Sequence, residues 1–440
     1  MKRMYLGGVA ATALLAGSLP ALADGHATEL TLCWAAWDPA NALVELSKDF
    51  EAESGHTMNF EFVPWPNFAD RMLNELNSGG QLCDLLIGDS QWIGGGAENG
   101  HYVKLNDFFD AEGISMDDFA PATVYAYSTW PKGTPNYYAL PAMGDANGWF
   151  YRKDWFEDPE IQAAYKDATG DDLGEPQTQQ EMLQIAQFFQ GREIDGETRY
   201  GAAIFTERGS EGITMGVTSA LYPWGFKYEN TPGEYDMDGA VNSAEAVAAL
   251  EFYKEFYQTA TPPGYSDSYM EQGLDAFKSG QVAMAMNWFA FFPGLAADPE
   301  LEGKVDFFVN PSQNIAGSTL GGQGISVVAY SEKQDAALEY IKWFAQPAVQ
   351  AKWWELGGFS AHNSVLNDPG FPDSQPFAAD FLTAMGQVQD FWQEPAYAEL
   401  LLAMQKRMHD FIVADQGTAQ EALDKLIEDW TETFEDEGKL

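Results

Sequence analysis

The first ninety residues alternate between two hydrophobic periods. Residues 57–63 alternate strictly between apolar and polar side chains, which predicts a strand, whereas residues 41–53 place their apolar side chains at helical intervals. Short apolar runs predict further strands at 29–34 and 82–87, and a helix is expected at 68–76. Strands that alternate with helices indicate parallel βαβ units in an α/β fold. The loops after such strands gather at one edge of the sheet, where ligands bind in open α/β proteins.

The rest of the chain continues with mixed elements and contains no internal repeat and no low-complexity linker. Its length favours two or three domains, which we expect to be closely joined. An aromatic turn is expected at 222–226. The pattern further predicts strands at 282–286 and 325–329, and helices at 181–189, 242–257, 274–278, 335–344 and over most of 398–434.

Three of the predicted loops at the sheet edge each set a tryptophan beside hydrogen-bonding residues. They read Trp37-Asp38-Pro39, Pro64-Trp65-Pro66-Asn67 and Asp89-Ser90-Gln91-Trp92. A sugar has apolar C–H faces and a rim of hydroxyl groups, so it is recognised by flat rings together with polar side chains. The alternative is that the tryptophans are core residues at the ends of loops. Their recurrence in three converging loops favours the binding interpretation.

The N-terminus has the order of a secretory signal peptide. Lys2 and Arg3 precede an apolar run over residues 6–19, which is too short to span a membrane, and a small-residue cleavage site ends at Ala23. Cys33 lies beyond the cleavage site and follows a bulky leucine, which argues against a lipid anchor. We expect cleavage after Ala23 and a mature protein free in the periplasm.

The chain is strongly acidic, with a formal net charge of −44 at pH 7. Such a charge repels phosphate backbones and anionic headgroups, so we expect no nucleic-acid partner. The acidic residues are dispersed, which is typical of a solvated surface and by itself says little about a ligand.

The two cysteines, Cys33 and Cys83, allow two interpretations. An even count in an oxidising compartment favours a disulfide. Two buried thiols acting as small hydrophobic groups are the alternative. The sequence leaves both open.

The order of several loose motifs resembles the extracellular solute-binding proteins of carbohydrate ABC transporters, the group that includes maltose-binding protein. The resemblance covers essentially the whole mature chain. The motifs are the Trp37-Asp38 loop, Cys83-Asp84-Leu85-Leu86, Gly100-His101-Tyr102-Val103-Lys104-Leu105, Tyr138-Ala139-Leu140-Pro141, Phe150-Tyr151-Arg152-Lys153-Asp154, Phe277-Lys278-Ser279-Gly280-Gln281-Val282-Ala283-Met284 and Gly321-Gly322.

The resemblance implies a two-lobe periplasmic binding protein fold, in which each lobe is a mostly parallel sheet flanked by helices and several strands form the hinge. It places residues 24–140 and 287–323 in lobe one, and residues 141–286 and 324–440 in lobe two. It implies that the protein is a monomer which captures a carbohydrate and delivers it to the membrane permease subunits of an ABC importer, without a cofactor.

The expected ligand residues come from two sources. The resemblance implies Asp38, Asp89, Gln91, Asp145, Asn287, Trp288 and His362. Chemistry and location add Trp37, Trp65, Asn147, Trp224, Gly322 and Gln323.

Two alternatives remain at the level of sequence. The same fold could bind a polyamine, a zwitterionic osmolyte or a sulfonated sugar, and an anionic ligand would require an arginine in the cleft. A secreted carbohydrate-active enzyme is the less favoured alternative, because the chain lacks a complete catalytic motif. Its five histidines have no metal-ligand spacing, so no metal site is expected.

Overall fold

The computed structural model describes residues 27–440, and the predicted signal peptide lies outside the described residues. Its ten strands are β1 Glu29–Ala35, β2 Thr57–Val63, β3 Leu85–Asp89, β4 Leu140–Arg152, β5 Arg192–Ile194, β6 Glu197–Ala203, β7 Val282–Trp288, β8 Val305–Val309, β9 Ser318–Val327 and β10 Val388–Gln389.

Eighteen α-helical segments surround the strands in the described part of the chain, joined in places by short 3₁₀ turns and by a π-helical turn at Val124–Ser128. The helices are α1 Asp38–Ser54, α2 Trp65–Asn77, α3 Ile93–Glu98, α4 Asn106–Glu112, α5 Pro121–Thr123, α6 Lys153–Phe156, α7 Pro159–Thr169, α8 Gln179–Phe189, α9 Gly212–Trp224, α10 Ala244–Ala260, α11 Met270–Lys278, α12 Phe292–Ala296, α13 Gln334–Phe344, α14 Pro347–Glu355, α15 Asn363–Leu366, α16 Ala378–Met385, α17 Tyr397–Ile412 and α18 Ala419–Asp436.

The N-terminal βαβ units are confirmed. β1 pairs in parallel with β2 and β3, and the helices between them bury the apolar faces that the periodicity indicates. The break after α1 is made by Gly55, which adopts a left-handed conformation with φ 78°. Three strand ends thus open onto one edge of the sheet.

Two strands connect this part of the sheet to the rest. β9 pairs antiparallel with β3 through residues 323–327 and with β4 through residues 320–325. Further along, β4 leaves β9 and pairs with β7 on one side and β8 on the other. β4 and β9 therefore run from one half of the molecule into the other.

The packing of the segments around the hinge differs from the expected lobe boundaries. Residues 324–355 lie against the first half: β9 pairs with β3, the Tyr340 hydroxyl bonds the Ser47 hydroxyl at 2.8 Å, and α14 contacts α1. Conversely β8, which we expected in lobe one, pairs with the distal part of β4. A sequence shows where strands occur but not which half of the molecule each strand joins.

A disulfide joins Cys33 on β1 to Cys83, just before β3, with 5.7 Å between the Cα atoms. Both cysteines are buried. The bond closes a loop that contains α1, β2 and α2. Over residues 27–440, no helix combines the length and apolarity needed to cross a membrane.

Candidate functional site

Two adjoining cavities lie between the halves of the molecule. The outer cavity has a volume of about 350 Å³, and the inner one, of about 30 Å³, reaches the hinge strands. Trp37, Trp65 and Met270 line both cavities. The remaining lining comes from the loops after β1–β3, from the hinge strands, and from the segments around the starts of α9, α11 and α12.

Tryptophan rings form the wall provided by the first half. Trp37 follows β1 and Trp65 follows β2, and their ring centroids lie 6.1 Å apart. Trp37 also approaches Phe291 of the opposite half, with 6.4 Å between ring centroids. The two indoles are half-buried, so each keeps ring surface for an apolar ligand face.

The inner end of the cleft is rich in hydrogen-bond acceptors. Asp89 ends β3 and accepts the backbone N–H of Gln91 at 3.1 Å. Gln91 and Gln323 are 3% and 2% exposed, yet the side-chain oxygen of each has no hydrogen-bond partner within the described residues. Buried amide oxygens in a native protein are nearly always paired. Both oxygens are therefore free to accept a hydrogen bond from a bound ligand.

Burial changes the protonation of Asp89. Burial, together with the nearby Asp390 carboxylate, raises the pKa of this carboxyl to about 7, while the Gln91 N–H opposes the shift. The carboxyl of Asp89 therefore titrates well above the usual range of an aspartate.

The hinge strands supply the floor. Asp145 on β4 accepts backbone N–H groups of Ala146 at 2.8 Å and of Ala290 at 3.3 Å, and burial holds its pKa well above the usual range. Gly322 on β9 has φ 89°, and a Cβ there would lie 2.2 Å from the Met143 carbonyl oxygen. Only glycine allows the two strands to approach so closely beneath the cavity.

The second half contributes the opposite wall. Glu211 stands immediately before α9 in a left-handed conformation, φ 73°, which is uncommon for a residue with a side chain. Its carboxyl pKa is raised well above the usual range by burial and by repulsion from Asp89 and Asp390. The ring of Trp288, at the end of β7, lies so close to Gly321 that a Cβ there would be 2.8 Å from it. The wall is thus acidic and aromatic.

Most of the predicted ligand residues line the two cavities. They are Trp37, Asp38, Trp65, Asp89, Gln91, Asp145, Trp288, Gly322 and Gln323.

Four predicted residues do not line the cavities. The Asn287 amide donates to the Met270 carbonyl oxygen at 2.9 Å, so it supports the wall from behind. The Trp224 indole N–H donates to Gln179 at 2.8 Å and lies elsewhere in the second half. His362 packs edge-on against Phe119, and Asn147 is fully buried, with neither amide atom hydrogen-bonded in the described structure.

Sequence reasoning missed most of the second wall. The unpredicted lining residues there include Glu207, Glu211, Met215, Asp267, Tyr269, Met270, Glu271, Gln272 and Phe291. They come from three separate segments, which only the tertiary fold brings together. One signal was present: Gly209 and Gly212 flank Glu211 just before an apolar run, a pattern typical of a loop that enters a buried helix.

These features define a class of protein. Two α/β halves, joined by crossing strands, enclose a cleft lined from both sides by rings and polar side chains. This is the two-lobe architecture of periplasmic binding proteins.

The chain belongs to the family of bacterial extracellular solute-binding proteins, whose family model matches residues 36–351. It is 27% identical over 282 residues to a putative binding protein of Brucella abortus (strain 2308), a match that covers 62% of this chain and 61% of that relative. The family and the structural relatives are binding proteins rather than enzymes.

Solved structures share the fold. The maltose-bound MalE3 of T. maritima superimposes with a TM-score of 0.76 and 21% identity, covering 91% of this chain and 98% of that one. An ABC transporter solute-binding protein of Agrobacterium radiobacter K84 in complex with ribitol gives a TM-score of 0.74 and 21% identity, covering 91% of this chain and 97% of that one.

Proposed function

We propose that this protein captures a small carbohydrate or polyol in the periplasm and delivers it, chemically unchanged, to the permease subunits of an ABC importer. We further propose that it acts as a monomer, after cleavage of the signal peptide behind Ala23. The observation that carries the proposal is the lining of one cleft by half-buried indoles and by buried, unpartnered amide oxygens.

Each part of the lining suits a polyhydroxylated ligand. Trp37 and Trp65 offer faces for C–H groups, and Gln91 and Gln323 offer acceptors for hydroxyl protons. The outer cavity, at about 350 Å³, falls within the size range of small-molecule sites. The two structural relatives described above hold maltose and ribitol, which supports this ligand class.

We propose a lobe division that follows the strand pairing. Lobe one comprises residues 27–139 and roughly 324–360, and lobe two comprises most of the remainder, with β4 and β9 as hinge strands. Trp37, Trp65 and Gln91 then belong to lobe one, while Glu211 and Trp288 face them from lobe two. Because the ligand contacts both walls only when they are close together, binding shifts the population toward the closed form.

The proposal is tested by measuring binding of sugars and polyols by calorimetry to wild type and to two tryptophan variants. Trp65→Ala removes a ring from the cavity, and we expect at least a tenfold loss of affinity, since one stacked ring contributes about 1 kcal/mol beyond its burial. Trp224→Ala is the matched control, because this half-buried indole lies outside both cavities and should leave affinity unchanged.

Three results would contradict the proposal. One is wild-type protein that binds no sugar or polyol, and another is Trp65→Ala protein that binds as wild type does. The third is recovery of a chemically altered sugar after incubation, which would indicate an enzyme.

A further inference from the structure

The cleft lining carries many carboxyl groups and, among the described residues, no lysine or arginine. Seven carboxyl groups line the two cavities, and no lysine or arginine does so: Asp38, Asp89, Asp145, Glu207, Glu211, Asp267 and Glu271. Within residues 27–440, none of the seven forms an ion pair with a lysine, arginine or histidine.

The inner carboxyl groups differ from the general acidity of the surface. A surface carboxylate is solvated and its charge is screened. Asp89, Asp145 and Glu211 instead meet at the closed end of the cleft, where burial and, for Asp89 and Glu211, neighbouring carboxylates raise their pKa values. Without a counter-charge such groups hold protons more tightly, and a cation that enters the cleft would favour their ionised form.

Lys132, a half-buried cation near the inner end of the cleft, is already engaged. The Lys132 ammonium donates to the carbonyl oxygens of Tyr125, at 2.8 Å, and Ala126, at 3.1 Å, and it lies over the Tyr125 ring. It lines neither cavity. Lys132 acts chiefly on Asp390, whose pKa it lowers in part, and Asp390 lies outside the cavity lining.

The unpartnered hydrogen-bond acceptors at the inner end of the cleft also favour a cationic ligand. The side-chain oxygens of Gln91 and Gln323 are buried acceptors without partners. Together with the inner carboxyl groups in their ionised form, they suit a ligand that donates more hydrogen bonds than it accepts. A hydroxyl group donates one hydrogen bond, whereas a protonated primary amine donates three and carries the matching charge.

The aromatic lining is compatible with such a group. The faces of tryptophan rings attract cations, and Trp37, Trp65 and Trp288 all border the inner cavity. Over the described residues, no set of three or more His, Cys, Asp or Glu side chains is arranged to hold a metal ion. An organic cation therefore fits the site better than a metal ion.

We propose that the ligand is a polyhydroxylated molecule that carries a protonated amine, such as an amino sugar or an amino polyol, with its ammonium group held between Asp89 and Glu211. The inference deepens the function proposed above and rests on it. The hydroxyl groups would occupy the outer cavity beside Trp37 and Trp65, where the volume is available.

The test compares ligands that differ only in the amine. Calorimetry at pH 7 would use 1-amino-1-deoxy-sorbitol against sorbitol, and the β-1,4-linked glucosamine disaccharide against its N-acetylated form, with spermidine as a cation without hydroxyl groups. We expect the amine member of at least one pair to bind tenfold or more tightly than its neutral partner. Raising the salt concentration should reduce this preference only in part, because Asp89 and Glu211 are half-buried and salt screens partly buried charge pairs less than exposed ones.

Two variants separate charge recognition from folding. Glu211→Gln keeps the shape of the side chain but cannot ionise, and we expect the preference for the amine over its neutral partner to fall about tenfold. Glu302→Gln makes the same charge change at an exposed position away from the cleft and should leave the preference intact.

The outcomes distinguish the two proposals. If neutral sugars or polyols bind as tightly as their amines, the charge inference fails while the carbohydrate function stands. If only spermidine binds, both fail, because the ligand then needs no hydroxyl groups. An amine preference that persists in Glu211→Gln also overturns the assigned position of the ammonium group.

Discussion

Gly322 is the position where the geometry of the cleft is most sensitive to one added methyl group. In Gly322→Ala, the new Cβ would lie 2.2 Å from the Met143 carbonyl oxygen, 2.6 Å from the Tyr127 hydroxyl and 2.9 Å from the Asp145 amide nitrogen. The Tyr127 hydroxyl cannot simply swing away, because it donates to the carbonyl oxygen of the adjacent Gly321. The hinge strands β4 and β9 must therefore separate to accommodate the substitution.

Two contributions determine how much unfolding free energy Gly322→Ala loses. An alanine in the left-handed region costs roughly 1–2 kcal/mol, and the overlap with backbone adds about 1–3 kcal/mol, the usual cost of overpacking. We therefore expect Gly322→Ala to lose about 2–5 kcal/mol of unfolding free energy and to bind ligand weakly.

Gly170 provides a matched control for this substitution. It has φ 87°, close to the 89° of Gly322, but nothing lies within 4 Å of a Cβ built there. Gly170→Ala therefore carries only the conformational cost. Urea unfolding followed by tryptophan fluorescence would compare the two variants, and calorimetry would measure binding. The reasoning is refuted if the two variants differ by less than about 0.5 kcal/mol and bind ligand equally well.

Three further perturbations test other parts of the structure. Replacing Cys33 and Cys83 by alanine should lower the unfolding free energy by about 4 kcal/mol, the value of the chain-entropy model for a separation of 50 residues. Reductant should then no longer change the melting temperature. An unchanged unfolding free energy would argue against the disulfide. The pKa of Asp89 is about 7 in the folded protein, against an ordinary value of 3.8, so between these pH values the folded state binds a proton that the unfolded state has lost. The ionisation of Asp89 therefore reduces the unfolding free energy progressively as pH rises from about 4 to about 7, by at most about 4 kcal/mol. Asp89→Asn should therefore gain stability relative to wild type at pH 8 but not at pH 4, and equal differences at both pH values would contradict the assignment. Asp84 accepts hydrogen bonds from the Thr31 N–H at 2.7 Å and from the Ser331 hydroxyl at 2.6 Å, and it pairs with Lys333. Thermal unfolding of Asp84→Ala should therefore show a loss of about 3 kcal/mol in unfolding free energy. A loss below about 1 kcal/mol would show that this buried network contributes little.

The first wall of the site could be predicted because its residues follow regular elements. Strict alternation marks β2, helical spacing marks α1, and the parallel βαβ order places Trp37, Trp65 and Asp89 at one edge. Local pattern and topology rules are sufficient for such a prediction.

The hinge was harder to predict because its residues resemble a loop. Residues 144–148 contain two glycines, Asp145 and Asn147, which are residues typical of turns, yet they lie within β4. Close packing explains Gly148, where a Cβ would meet the Phe289 ring at 2.5 Å. Such contacts involve residues far apart in sequence, so the local pattern does not reveal them.

The second wall was missed for a related reason. α9 is apolar on all sides and nearly every residue in it is buried, so it has little periodic contrast and only its end was recognised, as an aromatic turn at 222–226. Glu211, at the start of this helix, was therefore not associated with the cleft. The acidic character of the site became visible only when separate segments were assembled around it.

A crystal structure of the complex with the tightest-binding member of the matched amine and neutral pairs tests the central claim most directly. We expect the ligand to lie between the two halves, stacked on Trp37 or Trp65, with a nitrogen within hydrogen-bonding distance of Asp89 or Glu211. A ligand that contacts only one half, or that binds outside the cleft, would contradict the account.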